Sequence, residues 1–271
     1  MLGKLIKYDL NATWKIMVVL DAVIIFLGIL TGTVLHAVPS VEDSIGLGLM
    51  MFSFIGLFYI GIIAASVITI IFLVMRFYRN LYTAEGYLTF TLPVKTDLIM
   101  HSKVITGAMW MFLSYICIIT AFIISGAGLI SGAGASADEL AAALREFYSV
   151  LGFPDPGFAA VLIFTFIVTP FVTVVSMYFC VSVGQLWQNH KIIGTILCII
   201  GLYIVNQIIA QGIMFGSGFW KLLTLEAGDI DAMFGSMYKR ILLSMSIMNL
   251  IEGIIFYVVN IIITRKKVNL D

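Results

Sequence analysis

Two carboxylates interrupt long runs of apolar residues, Asp21 near the N-terminus and Glu252 near the C-terminus. An ionisable group inside such a run lines a pathway, relays a proton or holds a cationic substrate. The alternative is a neutral carboxyl that ties two helices together by hydrogen bonds worth about 1 kcal/mol each. Both groups are acids, so they cannot neutralise one another. Asn206 and Asn249 stand close to Glu252 in type and depth and join the acids as candidate pathway residues. They and their polar neighbours Gln207, Gln211 and Ser246 also suit plain interhelical packing.

The remaining reactive side chains carry less. His36, His101 and His190 are far apart in the chain and do not form a ligand spacing, so no metal site is expected. Cys117, Cys180 and Cys198 sit singly in apolar runs without a CxxC pattern, as small packed hydrophobes do. The 14 methionines are scattered in the same way and read as adaptable packing. A membrane-embedded transferase or protease would need clustered acids or a paired Ser/His constellation, and neither is present. No catalytic residue is assigned. There is also no Gly-rich string ending in Gly-Lys-Ser/Thr, so this chain offers no nucleotide cradle of its own.

The elements that hold these residues are set by the membrane. Of the 271 residues, 61% are hydrophobic and 11% charged, and the mean hydropathy is +1.10. A soluble domain runs near half apolar and a quarter charged. The net charge of zero supplies no basic footprint for a nucleic-acid partner. A span needs roughly 20 mostly apolar residues, and six such runs occur, at about 14–36, 46–74, 104–124, 158–183, 192–211 and 241–264. Backbone polar groups in lipid must be satisfied internally, and the alternation of barrel strands is missing, so the fold class is an all-α integral membrane protein of one transmembrane domain. Pro170 removes one backbone bond in the fourth span and predicts a kink. The N-terminus shows no apolar core with a cleavage site and is expected to be retained.

Basic residues orient the bundle. With the N-terminus inside, Lys4, Lys7, Lys15, Arg76, Arg79, Lys95, Lys103, Lys191, Arg265, Lys266 and Lys267 fall on the inner side. Only Arg145, Lys221, Lys239 and Arg240 fall outside. Eleven of the 15 basic residues on one side predicts cytoplasmic termini. Asp21 then lies roughly 10 Å, and Glu252 roughly 18 Å, from the inner end at about 1.5 Å per residue.

Residues 1–13 place Leu2, Leu5, Ile6 and Leu10 on one face, which suits an interfacial helix on the inner leaflet, or an upstream extension of the first span. On the outer side, Ser136 and Glu139 form a capping box ahead of Leu140, Leu144, Phe147 and Leu151, predicting a short amphipathic helix. The connection at about 212–240 is Gly-rich and aromatic and is expected at the outer interface.

The inner connection from Arg76 to Lys103 departs most from an ordinary loop. Tyr82, Tyr87, Leu88, Phe90 and Leu92 are apolar or aromatic and rimmed by charge, as at a protein-contact surface. The alternative is a helix resting on lipid. The string Glu85, Gly86, Tyr87, Leu88, Thr89, Phe90, Thr91, Leu92, Pro93 and Val94 resembles the coupling segment of bacterial ABC-2-type permeases. The stretch Gly184, Gln185, Leu186, Trp187, Gln188, Asn189, His190 and Lys191 is similar to their second inner turn. Six spans, an amphipathic N-terminal segment and a long final outer connection extend the resemblance over the whole chain.

The resemblance implies a permease subunit of an ATP-driven exporter in a bacterial cell membrane. Two such six-helix chains, copies or relatives, would form one pathway in the lipid bilayer. Glu85 to Phe90 with Leu92 and Pro93, and Gln185, Trp187 and His190, would meet a cytoplasmic ATP-binding subunit. That subunit would carry ATP and Mg; this chain would hold no cofactor. Small exporters of this kind are linked to amphipathic peptides or toxins, with drugs and lipids also open. The competing class is a proton-coupled secondary transporter with Asp21 and Glu252 as its relay.

Overall fold

The structure, a computed structural model, describes residues 1–37, 45–83, 85–86, 91, 94–132, 138–139, 141–142, 145, 156–187, 190–218 and 230–266. Six long helices follow one another: α1 (Leu2–Ala37), α2 (Ile45–Tyr82), α3 (Thr96–Gly132), α4 (Pro156–Gly184), α5 (Lys191–Gly216) and α6 (Ile230–Lys266). No strand occurs among the described residues. Each helix contains a window long and apolar enough to cross a membrane.

The helices overrun the apolar windows. α1, α2, α3 and α6 have 36, 38, 37 and 37 residues. At about 1.5 Å per residue each is roughly 55 Å long, against about 30 Å of hydrocarbon. Hydropathy marks only the stretch in lipid, whereas the hydrogen-bonded helix continues through the charged residues that flank it. For this reason α6 begins at Ile230 rather than near 241, and α5 runs on to Gly216. A separate interfacial helix over 1–13 is not what forms. Residues 2–13 are the upstream extension of the first span, in one helix to Ala37. Contacts to α3 hold them there: Asp9 pairs with Lys103 and accepts from Ser102 Oγ at 3.1 Å, while Trp110 Nε1 donates to Thr13 Oγ1 at 2.9 Å.

Successive helices are antiparallel, so one end gathers the starts of α1, α3 and α5 with the ends of α2, α4 and α6. The buried chain Tyr82–Ser182–Asn260 joins the ends of α2, α4 and α6 there, with contacts of 2.8 and 2.5 Å. At the opposite end His36 meets Ser131 at 2.9 Å.

Lipid tails are as apolar as leucine, so helices associate through close packing and hydrogen bonds rather than by escaping the solvent. The α1–α3 seam shows this. A Cβ added to Gly28 would lie 2.7 Å from Ala121 Cα, and one added to Gly128 would run into the Gly32 backbone. Towards the charged end, Met17, Leu81, Met100, Val104 and Val175 are buried around Phe77, which stacks on Tyr178 with ring centroids 3.9 Å apart. Pro170 sits inside α4, which continues through it.

α5 packs least. Gly194, against the Gly184 backbone and the Trp187 ring, is its one fully buried residue. Of the predicted outer helix, only 138–139, 141–142 and 145 are described, and they are helical. Tyr87, Leu88, Thr89, Phe90, Leu92 and Pro93 lie outside the described residues.

Candidate functional site

Asn249 and Glu252 are three residues apart, so α6 presents both on one face. That face meets α5, where Asn206 Nδ2 donates to Glu252 Oε1 at 3.2 Å. Two cavities share this cluster as a common wall. One, of about 470 Å3, lies between α5 and α6 and extends past Ala210 and Met245 along apolar side chains. The other, of about 250 Å3, lies between α4, α5 and α6 and adds Thr173, Ser176 and Cys180. Tyr203, Asn206, Asn249 and Glu252 line both. Tyr203 Oη accepts from Gln207 Nε2 at 3.0 Å. Three of the four candidate pathway residues are therefore brought together on one wall. Cys180 contributes to the wall of the smaller cavity as well.

Asp21 is elsewhere. It is buried in the α1–α3 seam, 5% exposed, and Ser114 Oγ donates to its Oδ1 at 2.6 Å. Its Oδ2 is buried without a hydrogen-bond partner among the described residues. Neither cavity reaches it.

A third polar cluster forms where α1, α2 and α3 converge. Asp9 and Lys103, both mostly buried, make an ion pair. Asn80, its amide oriented to satisfy both neighbours, accepts from Lys103 Nζ at 2.7 Å and donates to Glu85 Oε2 at 3.0 Å. Arg79 Nη2 meets Glu85 Oε1 at 2.8 Å. The backbone turns at this point, Gly86 N–H bonding the Thr83 carbonyl at 2.7 Å. Glu85, the first residue of the proposed coupling string, is thus tied through Asn80 and Lys103 to the start of α1. Arg265 at the end of α6 grips Asp97 at the start of α3, its Nε donating to Oδ1 at 2.6 Å. That hydrogen bond, outside the apolar window, holds the Asp97 carboxyl below the ordinary carboxylate range.

Gln185, Trp187 and His190 form the turn from α4 to α5 at the same end of the bundle. Gln185 N–H bonds Val181 O at 3.1 Å, Trp187 N–H bonds Gly184 O at 3.2 Å, and the His190 carbonyl accepts from Gly194 N–H at 2.9 Å. Trp187 remains half exposed. Of the other histidines, His101 hydrogen-bonds Tyr257, far from His36 at the opposite end.

No family model, no curated protein and no solved structure matches this chain. What the six apolar helices define is a multi-span membrane protein with the layout of a transporter.

Proposed function

We propose that the chain is the membrane-spanning permease subunit of an ATP-driven exporter of the ABC-2 type. It moves an amphipathic molecule outward by alternating access, as one of two such chains in a bacterial cell membrane with cytoplasmic termini. ATP is hydrolysed by a separate cytoplasmic subunit that docks on residues 85–93 and on the turn at Gln185, Trp187 and His190.

The observation that carries this reading is the network around Glu85. Movement imposed on the connection at Glu85 and Gly86 reaches α2 through Arg79 and Asn80, α3 through Lys103, and α1 through Asp9. A docking segment that drives helices needs such a stiff, charge-assisted attachment. The cavities beside Glu252 supply a place for cargo at mid-span depth. The proton-coupled alternative requires Asp21 and Glu252 to act as one relay. It is weakened by their placement, since Asp21 bonds Ser114 in a different seam. Purification from the native membrane, followed by mass spectrometry, tests the assignment. A stoichiometric chain with a nucleotide-binding Gly-Lys-Ser/Thr loop is expected; its reproducible absence would reject the exporter reading.

A further inference from the structure

The cavity at Glu252 is polar at one point and apolar along the rest of its length. Glu252 takes one hydrogen bond among the described residues, from Asn206 to Oε1. The Asn249 side chain, on the same wall, makes none among them. No lysine, arginine or histidine lines either of the two cavities. Among the described residues Glu252 therefore has no counter-charge, although it lies at mid-span, where an unpaired carboxylate is costly. The 470 Å3 volume falls within the range that accepts a drug-sized molecule. Exposed isoleucines flank it on both helices, Ile204 and Ile208 on α5 and Ile251 and Ile255 on α6, so it opens on an apolar outer face of this chain.

From this juxtaposition we infer that the α5–α6 cavity binds single-chain cationic amphiphiles, with a primary ammonium on Glu252 and the chain along the apolar arm. The ammonium supplies the missing positive charge. It also carries three donors, matched by the Glu252 carboxylate, the Asn249 side-chain oxygen and Tyr203 Oη. A neutral lipid tail would fill the apolar arm but leave the carboxylate unpaired. Entry is sideways from the bilayer, where such molecules accumulate. The inference names the substrate class of the permease reading and rests on it for transport, but binding itself needs no ATP-binding subunit.

The test uses the full chain in phosphatidylcholine nanodiscs without nucleotide. The probe is a long-chain alkylammonium carrying a diazirine, beside its N-acetylated neutral twin, with the photolabelled peptides mapped by mass spectrometry. The ammonium probe should label residues 203–213 and 245–256 at least about tenfold more than the twin. Excess unlabelled alkylammonium should abolish that difference on the wild-type chain, which makes the result independent of any variant. Glu252→Gln, checked for helical content and monodispersity, should bring the probe down to the level of the twin. Equal labelling by the two compounds means that a lipid tail occupies the groove and overturns the inference. So does labelling confined to other helices, a preference that survives in Glu252→Gln, or absent labelling with α5 crosslinking to α5 of a second copy. None of these failures touches the copurification result, and a missing ATP-binding partner would leave the labelling result standing.

Discussion

Asp21 and Glu252 are both carboxylates in apolar runs, and the sequence separates them only by depth, roughly 10 Å against roughly 18 Å from the inner end. Their neighbours separate them. Ser114 is 93 positions from Asp21 and Asn206 is 46 from Glu252, distances over which residue type says nothing about contact. The Asn249–Glu252 pairing was legible, because a three-residue spacing puts both on one helical face. Asp21 is therefore expected to matter for stability and Glu252 for cargo. Ser114→Ala removes the donor on a buried carboxyl oxygen and should cost about 1–3 kcal/mol in thermal or denaturant unfolding. It should leave probe binding at Glu252 intact; unchanged stability would mean that Asp21 is satisfied in another way. The Asp9–Lys103 pair makes a sharper case. With side chains 14% and 11% exposed, Lys103→Met strands a buried carboxylate and should cost about 3–5 kcal/mol. Adding Asp9→Leu should restore part of that loss, as a double-mutant cycle would show.

The six helices were readable because roughly 20 apolar residues in a row have few other uses. Their ends were not. The apolar face of Leu2, Leu5, Ile6 and Leu10 suited an interfacial helix as well as an extension of the first span; what holds residues 2–13 against α3 is Asp9 with Lys103 and Thr13 with Trp110. The closeness of α1 and α3 was equally hidden, since glycines are common in membrane helices and only some face a partner. Gly128 abuts the Gly32 backbone, whereas Gly126, two residues earlier, faces open space. Gly128→Leu should accordingly force the helices apart and cost about 3 kcal/mol in unfolding. Gly126→Ala should be neutral or stabilise by up to about 1 kcal/mol through helix propensity. Equal effects at the two positions would contradict the seam described here.

At the scale of the molecule, the bundle has one end rich in Lys and Arg, and the proposed docking string is attached there through Glu85. The asymmetry predicts a sidedness. Cysteines introduced at Ser149 and Ser236 should react with an impermeant thiol reagent added to intact cells, and one at Thr96 should not; labelling at Thr96 would invert the orientation. The proposed docking string rests on the sequence, where Tyr87 and Phe90 stand among charged neighbours; both lie outside the described residues. The attachment of its first residue, Glu85, to α1 and α3 was not legible in the sequence, because it runs through Asn80 and Lys103 from separate helices. The central claim is that another chain drives this bundle through that string. Interface anchors are typically a few buried aromatics worth about 2 kcal/mol or more each. The most direct measurement is a quantitative pull-down of the ATP-binding subunit by the wild-type chain and by Tyr87→Ala with Phe90→Ala. The double variant should insert normally yet lose roughly 4 kcal/mol of partner affinity, near a thousandfold. Recovery of the wild-type amount of partner would contradict the account.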